Sequence, residues 1–379
     1  MSDIIPFNRP FMTGNEVVSI ERAYDNGVLS GNGAISRECE ALLEARTGVR
    51  QVLLTHSCTG ALEMAAILLD LEAGDEVIMP AFTFVSTANA IVLRGGVPVF
   101  CDIRADTLNI DETKIEALIT PRTKAICVVH YAGVSCDMDP VLELARHHGL
   151  AVIEDAAQGI EASYKGRALG AMGDLGALSF HETKNITCGE GGALLVNRED
   201  LMARAEIIHE KGTDRRAFER GEVDKYTWRD TGSSFLLGEL VAAFLKAQLD
   251  AASLITARRL ALWNRYHSAF ENLEASEKLR RPVVPPDCLH NAHMYYLLLP
   301  RGRDRAKLLS DLRARGIMAV FHYVPLDTAP AAMRFAAPGK PLPVTAECAA
   351  RLIRLPLWTA MKPQEQDRVI ADVCAILSD

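Results

Sequence analysis

One lysine in the sequence lies where its amine could do chemistry. Residues 179–185 (Ser-Phe-His-Glu-Thr-Lys-Asn) are predicted to be a short strand that ends in Lys184 and leads into the glycine-rich residues 189–192. A lysine at the floor of a cleft loses its proton more readily than one in water, and its neutral amine can form a Schiff base with a carbonyl. Taken alone, Lys184 is better explained as a surface lysine at the end of a strand, so the interpretation as a reactive amine depends on the neighbouring motifs.

A second motif places a carboxylate at the end of another predicted strand. The apolar residues 150–153 are followed by Glu154 and Asp155. Side chains at the carboxyl ends of parallel strands face the crevice where open α/β sheets bind ligands. Asp155 alone would be better interpreted as a helix N-cap. Together, Asp155 and Lys184 would place a carboxylate and an amine in the same crevice.

Two further stretches supply a turn for phosphate and an aromatic ring. Ser57, Thr59 and Gly60 follow a short strand and begin a predicted helix, where free N–H groups and the helix dipole favour a phosphate. Phe84, or alternatively Phe82, lies after the next strand and offers a flat surface for stacking. A phosphate seat, a ring, a carboxylate and an amine are the groups that hold pyridoxal phosphate (PLP), whose pyridinium acts as an electron sink.

In their order and spacing, these motifs resemble the DegT/DnrJ/EryC1/StrS family of nucleotide-sugar aminotransferases. The resemblance extends from residues 5–7 (Ile-Pro-Phe) to the C-terminal helix. It implies the α/β fold of PLP-dependent transferases of type I (aspartate aminotransferase-like). In that fold a large domain with a seven-stranded, mainly parallel sheet precedes a small α+β C-terminal domain. We expect the large PLP-binding domain at residues 1–254 and the small domain at 255–379.

The resemblance also implies roles for individual residues. PLP would be bound covalently to Lys184, with pyridoxamine phosphate forming during turnover, and Asp155 would contact the ring nitrogen. The other cofactor-binding residues would be Ser57, Thr59, Gly60 and Ser179 at the phosphate, Phe84 on the ring, Gln158 at its oxygen side, and Ser234 where many relatives have Asn.

The resemblance is greatest to family members that act on dTDP-4-keto-6-deoxy-D-glucose. It therefore implies ping-pong transfer of an amino group from L-glutamate to C4 of that sugar, giving dTDP-4-amino-4,6-dideoxy-D-galactose. Lys225, Arg229, His322 and Tyr323 are the expected substrate-binding residues. A homodimer with active sites at the subunit interface is implied as well. A gluco product, a UDP-linked sugar, and a non-catalytic regulator that binds sugar nucleotides remain alternatives.

Other site types fit the sequence less well. His181 begins a pattern like the zinc motif H-E-x-x-H, but the fifth residue is Asn185 and the segment follows a strand, so no metal is predicted. No G-x-G-x-x-G follows the first strand, which argues against a dinucleotide oxidoreductase. A PLP-dependent sugar dehydratase would have histidine in place of Lys184.

The elements that position these residues can be predicted from apolar periodicity. Short buried strands separated by helices predict a mainly parallel sheet covered on both faces. A polar segment without periodicity, 212–232, is expected to be a functional loop. The predicted strands are 51–54, 76–79, 97–102, 125–130, 150–154, 176–180, 193–196, 294–299 and 318–322, and the predicted helices are 13–27, 35–47, 59–71, 85–93, 138–148, 201–211, 234–249, 254–273, 304–315 and 364–377.

Composition narrows the class of protein. The 379 residues carry a formal net charge of −8, which argues against a nucleic-acid surface. Nine cysteines without a C-x-x-C pair are typical of reduced cytosolic thiols, so a cytoplasmic location is expected. Residues 1–10 show no basic segment before an apolar run, and no stretch approaches the ~20 apolar residues of a membrane span, so neither a signal peptide nor a membrane partner is expected.

Overall fold

A computed structural model of the chain describes residues 4–378. Residues 1–3 of the N-terminal segment, in which no signal peptide was expected, lie outside the described residues. The strands are β1 Gln51–Thr55, β2 Glu76–Pro80, β3 Val97–Cys101, β4 Thr123–Val129, β5 Ala151–Asp155, β6 Ser163–Tyr164, β7 Arg167–Ala168, β8 Leu175–Ser179, β9 Gly192–Val196, β10 Cys288–Leu289, β11 Tyr295–Leu298 and β12 Leu352–Leu355. The helices are α1 Glu16–Asp25, α2 Ala34–Thr47, α3 Cys58–Leu68, α4 Val85–Val92, α5 Met138–His148, α6 Glu199–His209, α7 Arg215–Glu219, α8 Glu239–Asp250, α9 Ala252–Ala269, α10 Glu271–Ala275, α11 Arg305–Ala314, α12 Ala332–Phe335, α13 Pro343–Arg351 and α14 Pro363–Ser378.

Seven of these strands form one sheet in the order β1-β9-β8-β5-β4-β2-β3. Only β9 runs antiparallel to its neighbours β1 and β8. One apolar core packs α2 and α8 on one face, and a second packs α3, α4 and α6 on the other. Burial on both faces explains why these strands appear in the sequence as continuous apolar runs. The α/β fold with a mainly parallel seven-stranded sheet is therefore confirmed.

The C-terminal part has its own core around a two-stranded antiparallel sheet of β11 and β12. Tyr266, Tyr295 and Trp358 are buried there, between α9 and α14. The N-terminal segment joins this part, because the Ile5 N–H donates to Gly316 O at 2.9 Å. The position of the cavity described below follows from the way this part packs against the carboxyl end of the large sheet.

Several predicted boundaries were wrong for identifiable reasons. The helix expected from residue 234 begins at Glu239, because residues 234–238 are extended and Leu236 pairs with Thr55 beside β1. The helix expected over 254–273 is divided at Phe270 into α9 and α10. The expected strand 318–322 forms one bridge only, at Val320, since the Met318 N–H donates to the N-terminal segment instead.

The polar segment and the helices that the sequence predicted can be compared with the structure. Residues 212–232 contain the short helix α7 and are otherwise irregular. Within residues 4–378 no single helix is long and apolar enough to cross a membrane, and α8 with α9 meets that test only as a pair bent by 59°. On α1, Ala23 is buried, but the apolar side chains of Val17 and Val18 are exposed to 66% and 64%.

Candidate active site

A cavity of about 840 Å³ lies where the carboxyl ends of the large sheet meet the C-terminal part. Lys184 and Asp155 both line it, so the structure brings the predicted amine and carboxylate together. Seven other predicted residues contribute to its wall, namely Ser57, Thr59, Phe84, Gln158, Ser179, His322 and Tyr323.

Lys184 is held in a tight loop between β8 and β9. The Lys184 N–H donates to His181 O at 2.9 Å, and the Glu182 N–H donates to Gly189 O at 2.8 Å. Burial lowers the pKa of the Lys184 amine, an effect that the nearby Cys58 and Asp155 side chains oppose. Within the described part of the chain, the side-chain nitrogen makes no hydrogen bond. The surrounding protein therefore favours the neutral form of the amine.

The two carboxylates at the end of β5 have separate roles. Glu154 is fully buried and accepts hydrogen bonds from His130 Nε2 at 2.8 Å and from the Gly170 N–H at 2.9 Å. Asp155 is directed to the cavity, since adjacent residues of a strand face opposite sides. Glu154 therefore supports the fold, while Asp155 can meet a ligand.

A pair of hydroxyls that the sequence reasoning missed fixes the Asp155 carboxylate. Thr87 Oγ1 donates to Asp155 Oδ2 at 2.7 Å, and Thr83 Oγ1 lies 2.8 Å from Thr87 Oγ1. Both threonines are buried, and the Ala157 N–H donates to the other carboxylate oxygen at 3.1 Å. Their spacing of four residues at the start of α4 is the only sequence signal for this contact.

The turn before α3 has backbone N–H groups that could bind an anion. Ser57 is the N-cap, and its hydroxyl accepts from the Gly60 N–H at 3.0 Å. The Cys58 and Thr59 N–H groups lie in the first turn, where an α-helix has no internal acceptors for them. Strand β9 approaches closely, because a Cβ on Gly192 would lie only 2.3 Å from Cys58 N. Ser179, at the end of β8, borders the same cavity.

The two aromatic residues proposed for stacking have different surroundings. Phe84 is 57% exposed and lines the cavity at the N-cap of α4. Phe82 is 1% exposed and packs against Tyr131, with ring centroids 5.1 Å apart. Phe84 is thus the ring available to a ligand, and Phe82 belongs to the core.

A network of polar rings forms part of the cavity wall. His322 and Tyr323 stack with ring centroids 3.5 Å apart, and His322 Nδ1 lies 3.0 Å from the Tyr131 hydroxyl. Gln158 Nε2 donates to the Tyr323 hydroxyl at 3.1 Å, and Gln158 Oε1 accepts from the Ala132 N–H at 2.6 Å. Burial lowers the pKa of His322 and raises the pKa of Tyr323, so both side chains are neutral hydrogen-bonding groups.

Four predicted residues do not line this cavity in the single chain. Lys225 and Ser234 are exposed on the surface. Arg229 is exposed as well, and its Nε donates to Asp214 Oδ2 at 2.7 Å. Gly60 sits beneath the turn, where a Cβ would meet the His56 ring at 3.0 Å.

The sequence reasoning also missed the basic side chains of the cavity wall. Arg354 on β12 and Arg259 on α9 both line it, as does His293. Arg259 is buried and donates to Ala292 O at 3.1 Å and His293 O at 2.7 Å. Arg354 interrupts an apolar strand, a charge pattern that could have drawn attention to it. Between residues 4 and 378 there is no group of three or more His, Cys, Asp or Glu side chains that could hold a metal.

Comparison with known proteins gives consistent matches along the whole chain. The model of the DegT/DnrJ/EryC1/StrS aminotransferase family matches residues 11–374. The spore coat polysaccharide biosynthesis protein SpsC of Bacillus subtilis (strain 168) is 34% identical over 377 residues, which are 97% of this chain and 96% of SpsC. The solved structure of S. venezuelae DesV has a TM-score of 0.90 and 30% identity, covering 100% of both chains. An aminotransferase from Psychrobacter cryohalolentis has a TM-score of 0.92 and 27% identity, covering 98% of both chains.

Proposed function

The chain belongs to the DegT/DnrJ/EryC1/StrS aminotransferase family, and from that membership we propose that it moves the amino group of L-glutamate to C4 of dTDP-4-keto-6-deoxy-D-glucose. The product of the proposed reaction is dTDP-4-amino-4,6-dideoxy-D-galactose. The enzyme is a sugar aminotransferase and PLP is its cofactor, as for the family. The observation that carries the proposal is that Lys184 and Asp155 line one cavity.

The residues present in the cavity suit PLP. The first turn of α3, capped by Ser57, presents N–H groups for the phosphate. Gly192 leaves space that a Cβ would fill, so β9 can close on this turn. Asp155 supplies an anion for the pyridine nitrogen, and Lys184 supplies an amine for the aldehyde. Ser179 and Phe84 complete the proposed set at the phosphate and on the ring face.

In the proposed mechanism, bound PLP supplies an electron sink for the bond that breaks at the substrate carbon. The Lys184 amine, with its lowered pKa, removes a proton from one carbon and returns it to another on the same face. Asp155, fixed by Thr87, would hold the ring nitrogen of the bound cofactor in its protonated form. His322 and Tyr323 orient the sugar through their neutral hydrogen-bonding groups, and Gln158 holds Tyr323 in place.

Sequence resemblance supports the choice of sugar. Residues 129–133, 155–170, 224–230 and 318–323 are most similar to TDP-4-amino-4,6-dideoxygalactose transaminase, the enzyme of enterobacterial common antigen synthesis. SpsC, a relative over nearly the whole chain, is named for polysaccharide biosynthesis. We propose that this enzyme likewise makes an amino sugar for a polysaccharide. Another keto-sugar nucleotide, with a gluco product or a UDP carrier, is the second possibility.

The site is proposed to be completed in a homodimer. Lys225, Arg229 and Ser234 lie on the surface of one chain, outside its own cavity. In a dimer they would reach the partner's site, Ser234 at the cofactor phosphate and the two cations at the sugar diphosphate. We also propose domains at 1–254 and 255–379, with the segment around Ile5 packed on the second, and a cytoplasmic location that suits nine unpaired thiols.

The test is to incubate the holoenzyme with L-glutamate and a panel of keto-sugar nucleotides, and to determine the C4 configuration of each product by NMR. The expected result is turnover of dTDP-4-keto-6-deoxy-D-glucose with an axial C4 amine. Lys184→Ala is the control that should abolish turnover. An equatorial amine, or a preference for a UDP-sugar, would overturn the proposed substrate but leave the aminotransferase activity intact.

A further inference from the structure

His293 is a histidine of the cavity wall that the proposed mechanism does not use. It lies between β10 and β11, and two contacts fix its backbone. The His293 N–H donates to Asn291 Oδ1 at 3.0 Å, and Arg259 Nη2 donates to His293 O at 2.7 Å. In the side chain, Nδ1 lies 3.1 Å from Asn185 Oδ1. Asn185 directly follows Lys184 in the chain, so the ring is tied to the segment that carries the amine.

The contacts of Asn185 determine which ring nitrogen of His293 carries the proton. Asn185 is buried, and its Nδ2 donates to Asn291 O at 2.9 Å, so the oxygen of the same amide faces the ring. An amide oxygen only accepts hydrogen bonds, and therefore the His293 proton lies on Nδ1. Nε2 is left with a lone pair, and it has no hydrogen-bond partner among residues 4–378.

Asn291 makes this arrangement rigid. It is fully buried, and its Nδ2 donates to Gln158 O and to Ile160 O, both at 2.7 Å. A Cβ on Gly133 would overlap with Asn291 Oδ1, so the chain packs closely against the amide on that side as well. The lone pair of the His293 ring is thus held at one place in the cavity wall.

The charges around this lone pair are mainly positive. Burial lowers the pKa of His293 well below its usual value, so the ring is neutral. Basic side chains act on it in the same direction, namely those of Lys184, Arg259, Arg354 and His322. Burial also lowers the pKa of the Lys184 amine, an effect that Arg354 reinforces and that Cys58 and Asp155 oppose. A neutral acceptor can stabilise the protonated amine in such surroundings, because a hydrogen bond to the charged form favours that form.

We propose that His293 Nε2 accepts a hydrogen bond from the Lys184 amine whenever that amine is not bonded to the cofactor, and so holds it in place for proton transfer. The proposal rests on the role proposed for Lys184. The amine can reach such a partner, since it ends a flexible four-carbon chain and makes no hydrogen bond of its own among the described residues. His293 is a positioning residue in this account, because it acts through the amine.

The lone pair could also serve a hydroxyl of the substrate, and the location of the ring favours the amine. Nδ1 is bound to the residue that follows Lys184, so the ring stays beside the amine whether or not a substrate is present. A hydroxyl would meet Nε2 only while one substrate is bound.

Two substitutions separate the functions of the two ring nitrogens. His293→Asn places an amide nitrogen near the position of Nδ1, which keeps the contact with Asn185 but removes the acceptor at Nε2. His293→Gln has a longer side chain and brings an amide oxygen to the position of Nε2, so it should restore the acceptor.

The measurement is the pKa of the Lys184 amine in enzyme freed of PLP and loaded with pyridoxamine phosphate, a form in which the lysine is not bonded to the cofactor. The rate of acetylation by acetic anhydride is followed against pH on the peptide that contains Lys184, by mass spectrometry. In His293→Asn we expect the pKa to fall by about one unit, because the charged amine loses its acceptor. In His293→Gln it should stay within about 0.3 units of the unmodified enzyme.

His290→Asn is the matched control. His290 lies three residues away and packs against Trp263, with ring centroids 4.4 Å apart, yet it does not line the cavity. It should leave the pKa of Lys184 unchanged. An unchanged pKa in His293→Asn, or the same fall in the Asn and Gln variants, would overturn the proposal. Weaker binding of the keto sugar at an unchanged pKa would assign the lone pair to a substrate hydroxyl instead and would overturn it too.

The unmodified enzyme offers a second test if these variants do not fold. In protein labelled with ¹⁵N-histidine, the His293 Nε2 signal of the pyridoxamine phosphate form should be that of an unprotonated nitrogen, and it should move in Lys184→Ala. A signal that is the same with and without the lysine would contradict the proposal. Borohydride reduction of the PLP-loaded enzyme separates the two failures. If the cofactor is fixed to Lys184 while the pKa of that lysine does not depend on His293, only the role of His293 fails.

Discussion

The reactivity proposed for Lys184 rests on its burial and on its lack of hydrogen-bond partners within the described residues. Its pKa is lowered because the surrounding protein disfavours the charged amine, and no hydrogen bond within the described residues restrains its tip. The Asp155 carboxylate, in contrast, is held in place by hydrogen bonds from a threonine hydroxyl and a backbone N–H. A free amine and a fixed anion are what a covalently held, ring-paired cofactor requires.

Thr87→Val should lower activity about 10- to 100-fold, because it removes the hydrogen bond to the Asp155 carboxylate. Thr87→Ser keeps the hydroxyl and is the matched control, expected to remain near the activity of the unmodified enzyme. Steady-state kinetics on both variants at equal PLP content checks this. Equal activity of the Val and Ser variants would show that the hydroxyl does not matter.

Sequence reasoning predicted the amine and the carboxylate that the structure brings into one cavity, and it missed residues that only packing brings close. Lys184 and Asp155 could be predicted because each follows a buried strand at the edge where parallel strands end. Thr87 could not, since it lies 68 residues from the carboxylate it contacts. Arg354 was missed as well: an arginine in an apolar strand stands out in the sequence, but the sequence does not show which residues surround it.

At the scale of elements, burial on both faces made the strands of the large sheet predictable. All seven were predicted to within two residues of their observed ends. The first residues of helices were less predictable. Apolar residues in an extended segment just before a helix can continue the apolar pattern of that helix, so the pattern alone does not show where the helix begins. Residues 234–238 precede α8 and pair at Leu236 with β1, a contact determined by the sheet edge and not by local sequence.

Gly192→Ala should weaken cofactor binding, because the added Cβ would lie 2.3 Å from Cys58 N and 2.4 Å from Ser57 C in the turn proposed to bind the cofactor phosphate. Overpacking of this kind costs about 1–3 kcal/mol. We expect PLP affinity, measured by fluorescence titration of the apoenzyme, to fall at least about fivefold.

Gly339→Ala is the control for this change, since no atom approaches closer than 4.0 Å to its added Cβ. It should bind PLP with unchanged affinity. Unaltered PLP binding in the Gly192 variant would mean that β9 does not constrain the turn.

His209 makes the packing of α6 on β1 sensitive to acid. The ring is buried, and its Nε2 lies 2.7 Å from Leu54 O. Burial lowers its pKa from 6.5 to about 3. The folded protein therefore keeps this ring neutral, while the unfolded chain takes up a proton below pH 6.5. Stability is retained above that pH and is lost as the pH falls towards 3.

The expected size of this effect is about 2 kcal/mol of unfolding free energy between pH 6.5 and pH 5. Urea denaturation at both pH values, at fixed protein concentration, should show this loss in the unmodified protein. In His209→Gln, which has no titratable group, the loss should be smaller by about that amount. The same pH dependence in both proteins would contradict the assignment.

At the scale of the whole molecule, one chain does not bury all of its apolar surface. Val17, Val18 and Tyr24 on α1 are more than 60% exposed, and so is Leu93 after α4. Periodicity correctly predicted α1 as a helix but could not tell which partner its apolar residues meet. In the proposed homodimer these side chains would be covered by the second copy.

Val18→Asp should therefore convert the dimer to a monomer, because a carboxylate in a dry interface is costly to desolvate. Light scattering during size-exclusion chromatography would give the mass. Leu289→Asp is the control, since Leu289 is 71% exposed on the short strand β10, far along the chain from α1. A Val18 variant that keeps the mass of the control would exclude α1 from the interface.

Lys184 is the residue on which the whole site depends, and chemical reduction tests its role without any substrate. Borohydride added to the PLP-loaded enzyme makes the link between cofactor and lysine permanent, and peptide mass spectrometry then locates it. We expect the cofactor mass on the peptide that contains Lys184, and no label in Lys184→Ala. Label on another lysine, or no label on the loaded enzyme, would contradict the assignment of this cavity as the active site.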